Sequence, residues 1–285
     1  MDKRIIRVFP TRTRATPDDS LVAVDCAPRF FDEADEVHIS VLFTWDLKKT
    51  EKLEKEWKAV APVFVGGPAT GSPGESFVPG KYVKHGYVIT SRGCPNRCWF
   101  CSVWRREGDR VREIEIQSGS NVLDDNLLAC SKSHIKNVFG MLREQEEPCE
   151  FSGGWEASRL EDWHIELLKT IRLHQVWFAY DEDADLEPLI RAGRMLKQHG
   201  INYTKTGNVS HKVRCYCLIG WPKDTAEAAD KRLRTAYENG FLPMAMLYRD
   251  KDGQASQEWN RFQRAWARPA SINQMCRNRT EAQYG

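Results

Sequence analysis

The stretch GYVITSRGCPNRCWFCSVWRREG, residues 86–108, decides how the rest of the chain is read. It opens as a β-prone apolar run (86–90) and breaks at Gly93 into a loop that carries Cys94, Cys98 and Cys101. The spacing is C-x-x-x-C-x-x-C. Structural zinc ordinarily takes four ligands from two knuckles well apart in sequence, and this chain has no second C-x-x-C. His85 or Cys130 offers a fourth ligand, but neither has a partner at knuckle spacing. A redox dithiol needs two cysteines, not three. Three thiolates on one tight loop suit a [4Fe–4S] cluster in which one iron has no protein ligand. Gly93 lets the backbone approach such a group, Pro95 fixes a turn, and Trp99 with Phe100 shields the site from water. A zinc loop and three buried structural thiols are the alternatives that spacing leaves open.

The flanking sequence has a rhythm. Upstream, 5–9 (IIRVF) and 36–43 (EVHISVLF) read as strands, and 50–60 (TEKLEKEWKAV) places Leu53, Trp57 and Val60 at helical spacing. The run 62–69 (PVFVGGPA) is then a buried strand, so the order β-α-β implies a parallel sheet. The Gly/Pro/Ser-rich segment 66–80 is the best boundary, giving a small Rossmann-like α/β region over 1–80 and a second domain over 81–285. Downstream, strands at 86–90, 149–154, 175–181, 212–220 and 242–248 alternate with helices at 127–145, 162–174, 186–200, 224–240 and 256–269. Asp124, Asp125 or Asn126 is expected to cap the first of these helices and Asp224 the fourth. Gly200 and Gly240 serve as stops. Pro269 should end the last helix and leave a loose polar tail. The interval 201–211 fits only a loop or short hairpin. Parallel strands joined by helices form an open sheet or a partial barrel, and ligands gather at the carboxyl ends of the strands.

Bulk properties narrow the setting. The chain has 285 residues, 41% of them hydrophobic, with a net charge of +2. Global electrostatics therefore give no argument for nucleic acid or membrane as a partner. No apolar run reaches 18 residues, and the amino-terminal stretch lacks a secretory signal pattern. Nine scattered cysteines, an odd number, point to a reducing, cytoplasmic setting.

The loop TSRGCPNRCWFC resembles the cluster loop of the radical S-adenosylmethionine superfamily. The resemblance implies an α/β fold, a partial (β/α)6 TIM-like barrel, with this loop after its first strand. It implies that Cys94, Cys98 and Cys101 hold a [4Fe–4S] cluster and that Phe100 packs beside the adenine of S-adenosyl-L-methionine. FSGGWE (151–156) matches the family's glycine pair and acid, so Gly153, Gly154 and Glu156 would meet the cofactor's ammonium. The intervening Trp155 departs from the tighter Gly-Gly-Glu spelling. LIGWPKDT (218–225) is similar to a family segment near adenine and substrate, which brings Gly220 to the cofactor. The similarity spans roughly 86–250. Residues 1–80 resemble the cobalamin-binding domain of one branch, shortened; the D-x-H-x-x-G ligand motif is absent, and His38 sits inside a strand without that context. The implied activity is reductive cleavage of S-adenosylmethionine to a 5′-deoxyadenosyl radical that abstracts hydrogen from an unnamed substrate, with an external donor such as flavodoxin or ferredoxin.

Other residues admit two readings each. Tyr180 and Asp181 follow a strand directly and are the candidate catalytic pair; a solvated acidic turn explains Asp181 equally. Asp124–Asn126 either touch substrate or cap a helix. Cys215 and Cys217 share one strand face, as ligands, as hydrogen donors or as buried small side chains. The arginines of WRRE (104–107) bind an anion or pair locally. Trp259, Phe262 and Trp266 recur at helical spacing, as packing residues do. Against the enzyme stand a non-catalytic metal-bound interaction module, which would use the arginine-rich run 105–112 on nucleic acid, and a plain electron carrier.

Overall fold

The computed structural model describes residues 3–74 and 76–284, with side chains as far as Cys276. The fold is α/β with parallel sheets. The chain divides into two compact units, Met1–Gly119 with Lys251–Gly253, and Ser120–Asp250 with Gln254–Gly285. The expected division at 80 falls inside the first.

In the first unit, strands β1 (Ile5–Phe9), β2 (Val22–Val24) and β3 (Glu36–Ser40) precede helix α1 (Leu47–Trp57) and strand β4 (Val63–Gly66). The strands lie in the order β2-β1-β3-β4, all parallel. The expected β-α-β pattern is present; β2, three residues long, is too short to show a period in the sequence. Leu53 and Trp57 of α1 bury against Ile6, Val8, Val37 and Ile39. The Trp57 indole N–H donates to the Cys26 carbonyl at 3.0 Å, which satisfies the one polar atom that burial would orphan. Further along come β5 (Tyr87–Val88), β6 (Ser91–Arg92), the one-turn helix α2 (Val103–Arg106) and β7 (Arg112–Glu113). β6 and β7 pair antiparallel and bracket the cysteine loop.

The second unit runs β8 (Asn121–Val122), α3 (Lys132–Arg143), β9 (Cys149–Trp155), α4 (Asp162–Lys169), β10 (Leu173–Ala179), α5 (Leu186–Gln198), β11 (Val213–Ile219), α6 (Ala226–Glu238) and β12 (Leu242–Leu247). Helices α7 (Gln257–Ala265) and α8 (Pro269–Tyr284) follow. The five strands lie in sequence order and are all parallel. One face carries Phe151, Val176, Phe178, Cys215, Cys217 and Ala245, all buried. Each large side chain among them contributes roughly 1.5–3 kcal/mol by leaving water. Phe139 of α3 meets Phe151 at 5.5 Å between ring centroids, and Trp155 lies edge-on to Phe151 and Phe178 at 5.0 and 6.0 Å.

Several boundaries differ from the expectation for local reasons. α3 is capped by Ser131, whose hydroxyl accepts from the His134 N–H at 3.2 Å, because a 3-10 turn at Leu127–Ala129 intervenes after Asn126. α6 is capped by Thr225, not Asp224. Asp224 is spent elsewhere: both its oxygens accept from Arg232 at 2.8 Å, and one accepts from the Gly220 N–H at 2.8 Å. Pro269 does not end α7, which stops at Ala265; it opens α8, where its missing N–H is harmless. The expected loose tail is therefore helical from Pro269. Residues 201–211 form the short hairpin, with Tyr203 bridged antiparallel to Val209 and the Thr204 N–H bonded to the Asn208 carbonyl at 2.8 Å.

Asp224→Ala leaves the buried Arg232 uncompensated and should cost about 3–5 kcal/mol in chemical denaturation, whereas Thr225→Ala loses only a cap, about 1 kcal/mol. Equal losses would return the capping role to Asp224.

Candidate functional site

The cysteine loop is shaped by its backbone. Gly93 adopts φ +90°, and a Cβ there would stand 2.3 Å from the Arg110 carbonyl, so only glycine admits the crossing that starts the loop. The Cys94 N–H meets the Gly108 carbonyl at 3.4 Å, and the Cys101 N–H meets the Cys98 carbonyl at 3.2 Å. The Trp104 indole closes onto the Cys98 carbonyl at 3.0 Å. The Val103 N–H points at the Cys101 sulfur at 3.5 Å. Cys94, Cys98 and Cys101 are half-buried and none is in a disulfide. Phe100 is half-buried and edge-on to Trp99 at 5.3 Å, while Trp99 remains 46% exposed and so shields less than expected.

The arginines beside the loop are committed locally. Glu107, whose side chain is buried, faces Arg92 at 3.6 Å, Arg106 at 3.0 Å and Arg112 at 2.9 Å. It also accepts from the Gly74 N–H at 3.0 Å, which ties the Gly/Pro-rich segment to the loop. Arg105 lies over the Trp104 ring at 4.5 Å and donates to the Cys101 carbonyl at 3.4 Å. Of the two readings of WRRE, local pairing is the one seen. Glu107 gave no sequence signal of its own; only three arginines within reach mark it. His38, the remaining candidate of the first unit, is held by Tyr82 at 2.5 Å and Glu36 at 3.1 Å.

In the second unit the glycine pair divides its work. A Cβ on Gly153 would stand 2.1 Å from the Asp124 carbonyl, so this glycine exists for backbone packing. A Cβ on Gly154 would meet nothing within 4 Å. There is thus open space beside Gly154 where a side chain would stand. Glu156 follows, and its oxygens accept from Ser158 at 2.5 Å, Asn126 at 2.8 Å and Arg159 at 2.6 Å. Burial pushes this carboxyl up, but the three hydrogen bonds outweigh it and hold it below the usual carboxylate range. Asn126, one of the residues expected at a cap, thus orients Glu156 instead.

Tyr180 is buried, and burial raises its phenol above the ordinary value. Asp181 is not a solvated turn residue: its Oδ1 accepts from the Leu218 N–H at 2.7 Å, in place of the next ladder carbonyl. Burial lifts its carboxyl to about 7, opposed by that hydrogen bond and aided by Asp185. Gly220 has φ +76° and packs against Leu247 and Trp259, and the Asp224–Arg232 pair fixes its loop. Cys215 and Cys217 are fully buried; burial and their mutual hydrogen bond raise the Cys215 thiol well above its usual value, so it stays protonated. Trp259 meets Phe262 edge-on at 5.5 Å, as packing.

The sheet face opposite the buried one escaped the sequence reading. Along the strands, Glu150, Ser152, Gly154, Trp177, Arg214, Tyr216, Met244 and Met246 alternate with the core residues. Trp177 stacks on Tyr216 at 4.3 Å, Arg214 lies over Trp177 at 4.5 Å, and Glu150 accepts from Trp177 at 3.4 Å and Ser152 at 3.1 Å. Met244 and Met246 are 38% and 41% exposed. A parallel sheet covered on both faces reads as continuous apolar runs; the polar alternation in EFSGG and VRCYCL was the available signal.

A scan against models of known families finds none that matches the chain, and a search of curated proteins finds no match. Among the described residues, no helix is long and apolar enough to cross a membrane.

Two outcomes check this geometry. Gly153→Ala should lower the melting temperature by several degrees, while Gly154→Ala should leave it within about one degree, since only the first meets backbone. The raised carboxyl of Asp181 adds stability that is complete below about pH 4 and lost as pH rises through about 7. Asp181→Asn should remove that loss, seen as a wild-type deficit in denaturant midpoint that grows between pH 5 and pH 8. A constant difference across that range would place the Asp181 titration elsewhere.

Proposed function

We propose that the chain is a radical S-adenosylmethionine enzyme. The observation that carries this reading is the loop of three cysteines outside any disulfide, shaped by Gly93 and with the Val103 N–H on one sulfur. Its donor set fits an iron–sulfur cluster with one iron left for a small ligand. Cys94, Cys98 and Cys101 would hold it, and the amino and carboxylate groups of S-adenosylmethionine would occupy the remaining iron. When bound, this pair supplies a 5′-deoxyadenosyl radical, formed with methionine by one-electron cleavage of the S–C5′ bond, which takes a hydrogen atom from the substrate.

The rest is the work of the chain. Gly154, with open space where a side chain would stand, would let the cofactor's ammonium approach the strand. Glu156 supplies a fixed negative charge, because its three donors keep it ionised. Its carboxylate still has an acceptor position beyond the three in use. Phe100 and Gly220 would border the adenine. Asp181, poised near neutrality, can hold or release a proton. The parallel sheet of the second unit would form the wall of a partial (β/α)6 barrel, with the face of Glu150, Trp177, Arg214 and Tyr216 turned to the substrate. Residues 1–80 would be a shortened relative of a cobalamin-binding domain, its strand histidine His38 bonded to Tyr82 and Glu36. An external flavodoxin or ferredoxin in the cytoplasm would supply the electron. Of the arginines in 105–112 that the interaction-module alternative would use, Arg106 and Arg112 are held by Glu107, which leaves it the exposed Arg105 and Arg110.

Anaerobic reconstitution tests the reading. The wild type should take up about four irons, turn brown, and release methionine and 5′-deoxyadenosine on reduction. Cys98→Ala should abolish iron uptake. Glu156→Gln should weaken S-adenosylmethionine binding with iron intact; unchanged affinity removes that role. An iron-loaded protein that never binds S-adenosylmethionine is an electron carrier, and one that takes up no iron defeats the proposal.

A further inference from the structure

The second unit contains a group of ligating side chains that the cysteine loop does not use. The donor atoms of Asp124, Cys130 and His134 all lie within 4.8 Å of one another. Asp124 and His134 are buried and Cys130 is half-buried. We propose that these three residues form a mononuclear zinc site, separate from the cluster.

The backbone holds the three in place. Asp124 is pinned where its carbonyl fills the space a side chain on Gly153 would need. The 3-10 turn Leu127–Ala129 then carries the chain back, with the Ala129 N–H on the Asn126 carbonyl at 3.1 Å and the Cys130 N–H on the Leu127 carbonyl at 3.0 Å. Ser131 caps α3 through the His134 N–H, which fixes the turn that bears the imidazole. Cys130 immediately precedes that cap, at the start of the 12-residue helix α3.

The chemistry selects the ion. A thiolate, an imidazole and a carboxylate together suit zinc, whereas calcium and magnesium take oxygen. Zinc bonds of about 2.0–2.3 Å in a tetrahedron set the donors roughly 3.3–3.8 Å apart. Donor atoms this close together are within reach of one ion. Three protein ligands leave a fourth position for water or a substrate group, the arrangement of reactive rather than purely structural zinc.

Metal analysis of the anaerobically purified full chain tests this, with zinc and iron counted separately. The wild type should retain one zinc after gel filtration. Cys130→Ser and His134→Gln should each weaken zinc binding at least about tenfold, measured by chelator competition, and leave iron uptake unchanged. Cys98→Ala should do the reverse. Cobalt(II) in place of zinc should give a thiolate-to-cobalt absorption band that Cys130→Ser removes. If those variants fail to fold, as circular dichroism would reveal, the cobalt spectrum of the wild type decides alone: no thiolate band overturns the site. Zinc retained by Cys130→Ser also overturns it, as does zinc lost in Cys98→Ala, which places the ion on the cysteine loop. Failure of iron uptake alone leaves this site standing and removes only the cluster.

Discussion

The Asp124 carbonyl occupies the place where Gly153 would carry a side chain. That single close approach organises the second unit around the end of β9. It forces glycine at 153 and locks the segment before α3 against the strand. Asn126, two residues on, is thereby delivered to Glu156, whose charge it helps to fix. Gly154, one residue along, is left facing open space on the opposite side of the strand. The two glycines look equivalent in the sequence but differ in surroundings: one is required by the protein's own backbone, the other has open space where a side chain would stand.

A corresponding constraint governs the cysteine loop. A carboxylate as deeply buried as Glu107 is tolerated only when it is paired and hydrogen-bonded. Three arginines and the Gly74 N–H meet that requirement, and in doing so they fasten both ends of the loop and the Gly/Pro-rich segment to one point. The charges of Arg92, Arg106 and Arg112 are thereby spent within the protein, on Glu107.

The elements were largely legible because each long helix and strand repeats a pattern. Leu53 and Trp57 announce α1 by spacing, and VRCYCLI announces β11 by its β-branched and apolar run. What was lost was local competition for the same side chain. Asp224 looked like a cap because it stands beside a helix start, but a buried arginine eight residues on offered it more than one backbone N–H. Pro269 read as a stop because proline breaks helices, although it equally begins them. Cysteine spacing exposed the candidate cluster loop outright. The group of Asp124, Cys130 and His134 stayed hidden because its members are brought together by a 3-10 turn, which leaves no periodic trace.

Asp181 and Asp224 illustrate how position within a few residues of a strand end separates structure from chemistry. Both stand beside the carboxyl end of the sheet, and each takes one backbone N–H near β11, from Leu218 and Gly220 respectively. Asp224 also faces Arg232 at 2.8 Å, so its negative charge is cancelled and its role is to hold a loop. Asp181 has the acidic Asp185 beside it instead, and desolvation dominates, lifting its carboxyl to about 7. A group balanced near neutrality can take up or give up a proton at little cost in free energy. Near its carboxyl end the sheet thus carries one carboxylate fixed by an arginine and one left able to titrate.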